Sequence, residues 1–203
     1  MNVAIFEESI DTLREYASVP IALDVTSELE VHRGGEGFVL TEVAVPSPYI
    51  KDYDAIAGEH PAEWARRFDM SRWGVLAARA GGRRVGGAVI AFDAPGVDML
   101  EGRRDLAVLW DIRVAPEARG NGVGAALFRA AEAWARARGC REFKVETQNV
   151  NVSACRFYAR QGCVLAAVDP SAYPGLSAEI QLLWHKDLST ATHASSPLVR
   201  SDY

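Results

Sequence analysis

The most regular pattern of apolar and polar positions lies in the second half of the chain. Leu106 to Val114 is an apolar-rich run that reads as a strand, and a glycine-rich turn follows it. Val123, Leu127, Ala130, Ala131 and Trp134 then recur at i, i+4, i+7, i+8 and i+11. That spacing predicts one apolar helix face with Arg129, Glu132 and Arg136 turned outward, ended by Gly139. A strand over Glu142 to Gln148, a short helix from a cap near Asn151 to a stop at Gly162, and strands at 163–168 and 179–186 complete this half. Strand, helix, strand implies a right-handed crossover between parallel strands.

In the first half, residues 22–32 and 37–45 are β-branched and alternating. They flank the glycine-rich His32 to Gly37 as a hairpin, and Pro46 and Pro48 are expected to stop its second strand. Gly74 to Ala80 and Val85 to Phe92 form a second hairpin around Gly81-Gly82-Arg83-Arg84, with Gly86-Gly87 marking a bulge, and a polar loop runs from Asp93 to Arg104. Between the hairpins, 49–73 carries Tyr49, Tyr53, Trp64 and Trp73 among acidic residues, with a short helix over Pro61 to Phe68. It reads as a substrate-facing insertion. The expected architecture is α/β (α+β), a mixed sheet flanked by helices, in one domain over residues 1–188, with a polar tail at 189–203 expected to be poorly ordered.

Composition narrows the function. With 203 residues, 49% of them apolar, the chain has enough for one sizeable core. A formal net charge of −5 argues against nucleic acid as a partner and for a small cationic molecule. The acidic start does not resemble a signal peptide and no window reaches membrane-spanning length, so the expectation is a cytoplasmic protein without a membrane partner. Cys140, Cys155 and Cys163 show no CxxC spacing, and His32, His60, His185 and His193 are scattered, so no metal is assigned. A homodimer is compatible with all of this.

The turn Arg119-Gly120-Asn121-Gly122-Val123-Gly124-Ala125 lies at a helix N-terminus, where unpaired N–H groups and the helix dipole favour a phosphate. Arg119 adds positive charge. The absence of Gly-Lys-Ser/Thr excludes a Walker-type site, but Gly120-x-Gly122-x-x-Ala125 also satisfies a dinucleotide fingerprint, with Glu142 or Glu146 about 20 residues on. In the next helix Asn151, Ala154 and Tyr158 share a face, and an amide, a small residue and a phenol suit an extended amide-bearing thiol cofactor. The alternative makes Asn151 a cap and Tyr158 core.

Together, Arg119-x-x-Gly122-x-Gly124 and Asn151-x-x-Ala154-x-x-x-Tyr158 resemble the acetyl-CoA signature of the GNAT superfamily. Leu109 to Glu117, Glu146 to Asn151, Gln181 to Trp184 and Gly37 to Val43 further resemble the streptothricin (nourseothricin) acetyltransferases, which acetylate an amino group of the antibiotic's β-lysine moiety. The resemblance implies a mostly antiparallel sheet of six to seven strands and acetyl-CoA as cosubstrate. It implies pyrophosphate on Gly120 to Ala125, pantetheine along the backbone of Ile112, Arg113 and Val114, and Tyr158 as general acid.

A lysine-like ammonium has a pKa about 3.4 units above neutrality, so exposing the neutral nucleophile costs roughly 4–5 kcal/mol. Asp111 and Glu146, on neighbouring strands, are the candidates to hold the cation or pass its proton through water. The developing oxyanion needs a fixed donor, and backbone N–H near Ile112 or Arg113 is the candidate by resemblance. Trp110, Tyr173 and Trp184 are candidates for the acceptor pocket. Asp52, Asp54 and Glu59 read as solvated loop acids, Asp111 equally as a structural partner of Arg113, and Cys155 as a wall residue with no histidine nearby to activate it. Acetylation of another small amine or a protein N-terminus, and a non-catalytic coenzyme A-binding module, remain the alternatives.

Overall fold

The computed structural model describes residues 2–35, 37–176 and 179–189. Thirteen elements follow in order: β1 (Ala4–Glu8), α1 (Leu13–Tyr16), β2 (Leu23–Gly34), β3 (Gly37–Lys51), α2 (Pro61–Arg67), β4 (Gly74–Ala80), β5 (Arg83–Phe92), β6 (Leu106–Val114), α3 (Val123–Ala137), β7 (Glu142–Gln148), α4 (Val152–Arg160), β8 (Val164–Asp169) and β9 (Gln181–Asp187). Seven strands form one sheet in the order β1-β4-β5-β6-β7-β9-β8, and β2–β3 is a separate ribbon. Within the sheet only β6 and β7 pair in parallel, bridged by the α3 crossover. A doubly wound dinucleotide sheet, with its successive parallel strands, is a different architecture.

Helices cover both faces, so the central strands read as apolar runs rather than alternations. On one face Leu127, Phe128, Ala131 and Trp134 of α3 pack with Phe143, Val145 and Trp184. On the other, Tyr16, Trp64 and Trp73 pack with Val89, Ala91, Leu106 and Val108. Gly86 and Gly87 sit where the layers close up: a Cβ on Gly87 would meet the Tyr16 ring at 2.6 Å. α3 and α4 end as their glycines predict, Gly139 and Gly162 taking φ of 82° and 81°. In both, the two backbone bonds of a Schellman motif form: Cys140 N–H to Ala135 and Gly139 N–H to Arg136 in α3, Cys163 N–H to Tyr158 and Gly162 N–H to Ala159 in α4.

Three expectations are corrected, and one strand was not foreseen. Pro46 and Pro48 do not end β3, which runs on to Lys51; instead the ladder skips Thr26 and Val45–Pro48, the place where two residues without N–H groups cost no cross-strand bonds. Glu132 does not face solvent but is buried and ion-paired with Lys186 of β9. The loop from 93 to 104 is not simply polar, since Val97 and Leu100 anchor it in the core. Finally, β1 is a sheet strand antiparallel to β4, although nothing in its short, acidic sequence marked it. The 189–203 tail, beyond Ser189, lies outside the described residues. Among the described residues no helix is long and apolar enough to cross a membrane.

Candidate active site

β6 builds the site through an interruption. Against β5, Val89 pairs with Asp111 while Ile90 pairs with Leu109, leaving Trp110 as the extra residue of a bulge. A bulge breaks the period-two alternation, so Trp110 and Asp111 fall on the same face of the sheet. Leu106, Val108 and Trp110 belong to the layer of α1 and α2, and beyond the bulge Asp111 and Arg113 do too, while Ile112 and Val114 turn to the layer of α3 and α4. On its other side β6 pairs with β7 only from Leu106–Glu142 to Leu109–Val145. Past that point the strands part, and the stretch from Trp110 to Val114 keeps one backbone edge without a strand partner.

A cavity of about 620 Å³ fills the parting. Trp110, Asp111, Ile112, Arg113 and Val114 line it from β6, Glu146, Thr147 and Gln148 from β7, and Asn151, Ala154, Phe157 and Tyr158 from the start of α4 and its cap. Free backbone N–H and C=O groups along β6, facing the small Ala154, match an extended amide chain, which can add to a strand edge as another strand would.

At the outer end lies the glycine turn. Gly120 and Gly122 have φ of 77° and 79°, where a side chain is strained, but Gly124 does not; its small size instead admits Phe157, 3.4 Å from where its Cβ would stand. The first bond into α3 runs from Ala126 N–H to Gly122, so the N–H groups of Val123, Gly124 and Ala125 have no acceptor within the helix. The Val123 side chain is core and the Asn121 amide folds back on the carbonyls of Ala118 and Arg119. Arg119 anchors through Nε to the Val114 carbonyl, 3.0 Å, and lines the cavity. The turn thus offers an anion one cation and a set of backbone donors.

Asn151 caps α4: its Oδ1 accepts from Ala154 N–H at 3.1 Å and from Ser153 Oγ at 3.0 Å, which fixes the amide at the cavity wall. Tyr158, buried at 5% exposure, donates to no acceptor among the described residues. Burial, then the charge of Asp111, pushes its pKa well above the usual phenol value. Cys155 is spent on Thr147 and the Gln148 carbonyl, and burial raises its thiol to about 11.

On the acceptor side Glu146 accepts from Tyr173 Oη at 2.6 Å and from Gln181 Nε2 at 2.9 Å, and Gln148 donates to the same phenol at 2.9 Å. Burial and Glu146 together hold Tyr173 protonated well beyond the ordinary range. Asp111 is bound differently: Tyr16 Oη donates to it and Arg113 grips both its oxygens, so its carboxylate is already occupied. Of the aromatic candidates, Trp110 and Tyr173 line the cavity, while Trp184 is core, its N–H on Thr147 Oγ1 at 2.9 Å. Trp110 is held by Trp64, Phe68 and Trp73 at centroid distances of 6.4, 5.1 and 5.3 Å. Lys51, Tyr53 and Trp64 of the segment read as a substrate-facing insertion also line the cavity, as does Glu179, which nothing in its spacing assigned there. Among the described residues no group of three or more His, Cys, Asp or Glu side chains is arranged to hold a metal.

The family model for the acetyltransferase (GNAT) family matches residues 41–163. A streptothricin acetyltransferase of Streptomyces lavendulae is 31% identical over 150 residues, covering 74% of this chain and 75% of the relative. The crystal structure of nourseothricin acetyltransferase is similar with a TM-score of 0.71 at 25% identity, over 93% of this chain and 99% of that one. A Bacillus anthracis str. Ames protein described as a streptothricin acetyltransferase, solved with acetyl coenzyme A, shares the fold with a TM-score of 0.73 at 23% identity, over 92% and 99% of the two chains.

Proposed function

This chain belongs to the GNAT acetyltransferase family, and we propose that it uses acetyl-CoA to acetylate an amino group of the β-lysine moiety of streptothricin, within a single catalytic domain over residues 1–188. The observation that carries the proposal is the cavity at the parting of β6 and β7, where Glu146 and the unpartnered hydroxyl of Tyr158 line the same space. The bound cosubstrate supplies an acetyl group activated as a thioester. The residues present fit it: the backbone donors of residues 120–125 and Arg119 hold the pyrophosphate, the open edge of Ile112 to Val114 holds the amide arm, and Asn151 and Ala154 close its other side. An N–H of that edge near Ile112 or Arg113 faces the thioester carbonyl and supports the charge that develops on its oxygen.

Glu146 draws in the ammonium and passes its proton on through water, so that the amine reaches the thioester as a neutral nucleophile in a direct ternary complex. Tyr158 stays protonated and gives its Oη proton to the departing sulfur. Asp111, neutralised in part by Arg113, contributes negative potential rather than a free base. The raised thiol pKa of Cys155 argues against an acetyl-enzyme route.

A thiol-release assay with acetyl-CoA tests this. Release with streptothricin and none with lysine-free amines is the expected result; release with other amines or N-terminal peptides but not with streptothricin transfers the assignment to those acceptors.

A further inference from the structure

Arg113 is the hub of a polar cluster whose third member, Asp54, has no part in the mechanism above. Its five N–H donors are all used: Nε on Asp111 at 3.0 Å, Nη1 on the Val19 carbonyl at 3.1 Å and on Asp54 at 2.9 Å, Nη2 on Asp54 at 3.1 Å and on Asp111 at 2.7 Å. Its side chain is 1% exposed, beneath Asp111 at 6% and Asp54 at 17%, and both carboxylates line the cavity. Two carboxylates against one guanidinium leave one net negative charge in low-dielectric surroundings. Of the other charged side chains lining the cavity, Lys51 pairs with Glu179 at 2.5 Å, Glu59 pairs with Arg67 at 2.9 Å, and Arg119 belongs to the glycine turn, bonded to the Val114 carbonyl. Glu146 has only the neutral Tyr173 and Gln181 for partners. Among the described residues, the charge of Glu146 and the net charge left on the Asp54–Arg113–Asp111 cluster therefore have no further cation partner.

We propose that Asp54, held in the Asp54–Arg113–Asp111 cluster, is the residue that recognises the second, non-reacting ammonium of the diamine acceptor while the reacting amine sits at Glu146, and so sets the preference for a diamine over a monoamine. The inference rests on the acetyl-transfer reading of the same cavity. Asp54 comes from the turn after β3 and is attached to β6 only through Arg113, so it both supplies the uncompensated charge and places the cavity-lining Tyr53, Ile56 and Glu59 of its own segment. Asp111 alone would be neutralised by Arg113.

The experiment compares two probes, 3,6-diaminohexanamide and 3-aminohexanamide, which differ only in the distal amino group. For the wild-type protein kcat/KM should favour the diamine by roughly tenfold or more, the size of a unit-charge interaction at partly buried distances. Asp54→Asn should bring that ratio below about threefold while leaving the KM for acetyl-CoA unchanged, and Asp54→Glu, which keeps the charge, should retain most of the preference. Equal turnover of the two probes by the wild type overturns the inference even if Asp54→Asn does not fold. An Asn variant that keeps the full preference overturns it as well. Absence of thiol release with both probes and with streptothricin instead defeats the acetyl-transfer reading beneath it, so the two failures are distinguishable.

Discussion

The general-acid role proposed for Tyr158 requires that it hold a proton until the leaving group needs it, and burial and the negative charge of Asp111 both favour the protonated phenol. Replacing it by Phe removes one oxygen from the cavity wall and breaks no protein hydrogen bond, so the fold and acetyl-CoA affinity should persist while kcat falls by at least about 10²-fold. Isothermal titration and steady-state rates on one preparation check both halves. Because the phenol pKa lies well above the usual phenol value, kcat should not decline between pH 8 and 9.5 through loss of this proton; a decline with an apparent pKa in that window, absent from the Phe variant's residual rate, contradicts the assignment. Cys155→Ala should keep activity within about threefold, since a thiol raised to about 11 is almost wholly protonated at neutral pH. Tyr158 was legible because its spacing from Asn151 is a local property of one helix. Asp54 was not, because what turns a loop acid into a partly buried anchor is an arginine 59 residues away.

At the scale of elements, the strands and helices from Leu106 to Arg160 lie where the apolar periodicity put them, since each is decided within its own sequence by one face, one cap and one glycine stop. The bulge at Trp110 has no mark in the apolar run of β6 and is set by the register with β5. The ribbon shows the opposite case: prolines predict a stop from steric and hydrogen-bonding rules, and the pairing partner decides that the strand resumes at Tyr49. Asn149 is another residue whose role is invisible locally, exchanging hydrogen bonds with Leu29 and taking one from Ile180, so that it ties β2, β9 and the α4 cap together. A separable prediction concerns the cap itself. Asn151→Ala deletes the Oδ1 bond to Ala154 N–H and the amide at the cavity wall together. Stability should fall by about 1 kcal/mol, a Tm shift of roughly 2–4 °C, and the Kd for acetyl-CoA should rise. Asn151→Ser or Asp restores a capping oxygen but not the amide, so it should recover the melting temperature and leave the weaker affinity. Calorimetry beside titration separates the two roles.

For the whole molecule, the choice of what to bury sets its tolerance to pH. Cys140, Cys155 and Cys163 all lie in the core, and burial raises their thiols to about 11, 11 and 12. Tyr16, Tyr53, Tyr158 and Tyr173 are likewise raised, chiefly by burial. The sign of the effect is fixed: above the unfolded-state pKa the unfolded chain has released protons that the native chain still holds, so stability drops as pH rises. The thiols act first, from about pH 9, each removing about 1–2 kcal/mol by pH 10, and the phenols add to the slope above pH 10. Three such thiols can therefore remove about 4 kcal/mol, a large share of a typical 5–15 kcal/mol domain stability. Urea unfolding should show a midpoint nearly constant from pH 7 to 8.5 and then falling steeply. The Cys140→Ala, Cys155→Ala, Cys163→Ala triple variant, less stable at neutrality through lost packing, should lose much less between pH 8.5 and 10 than the wild type. Equal losses in the two proteins would show that the buried thiols are not the source of the alkaline sensitivity.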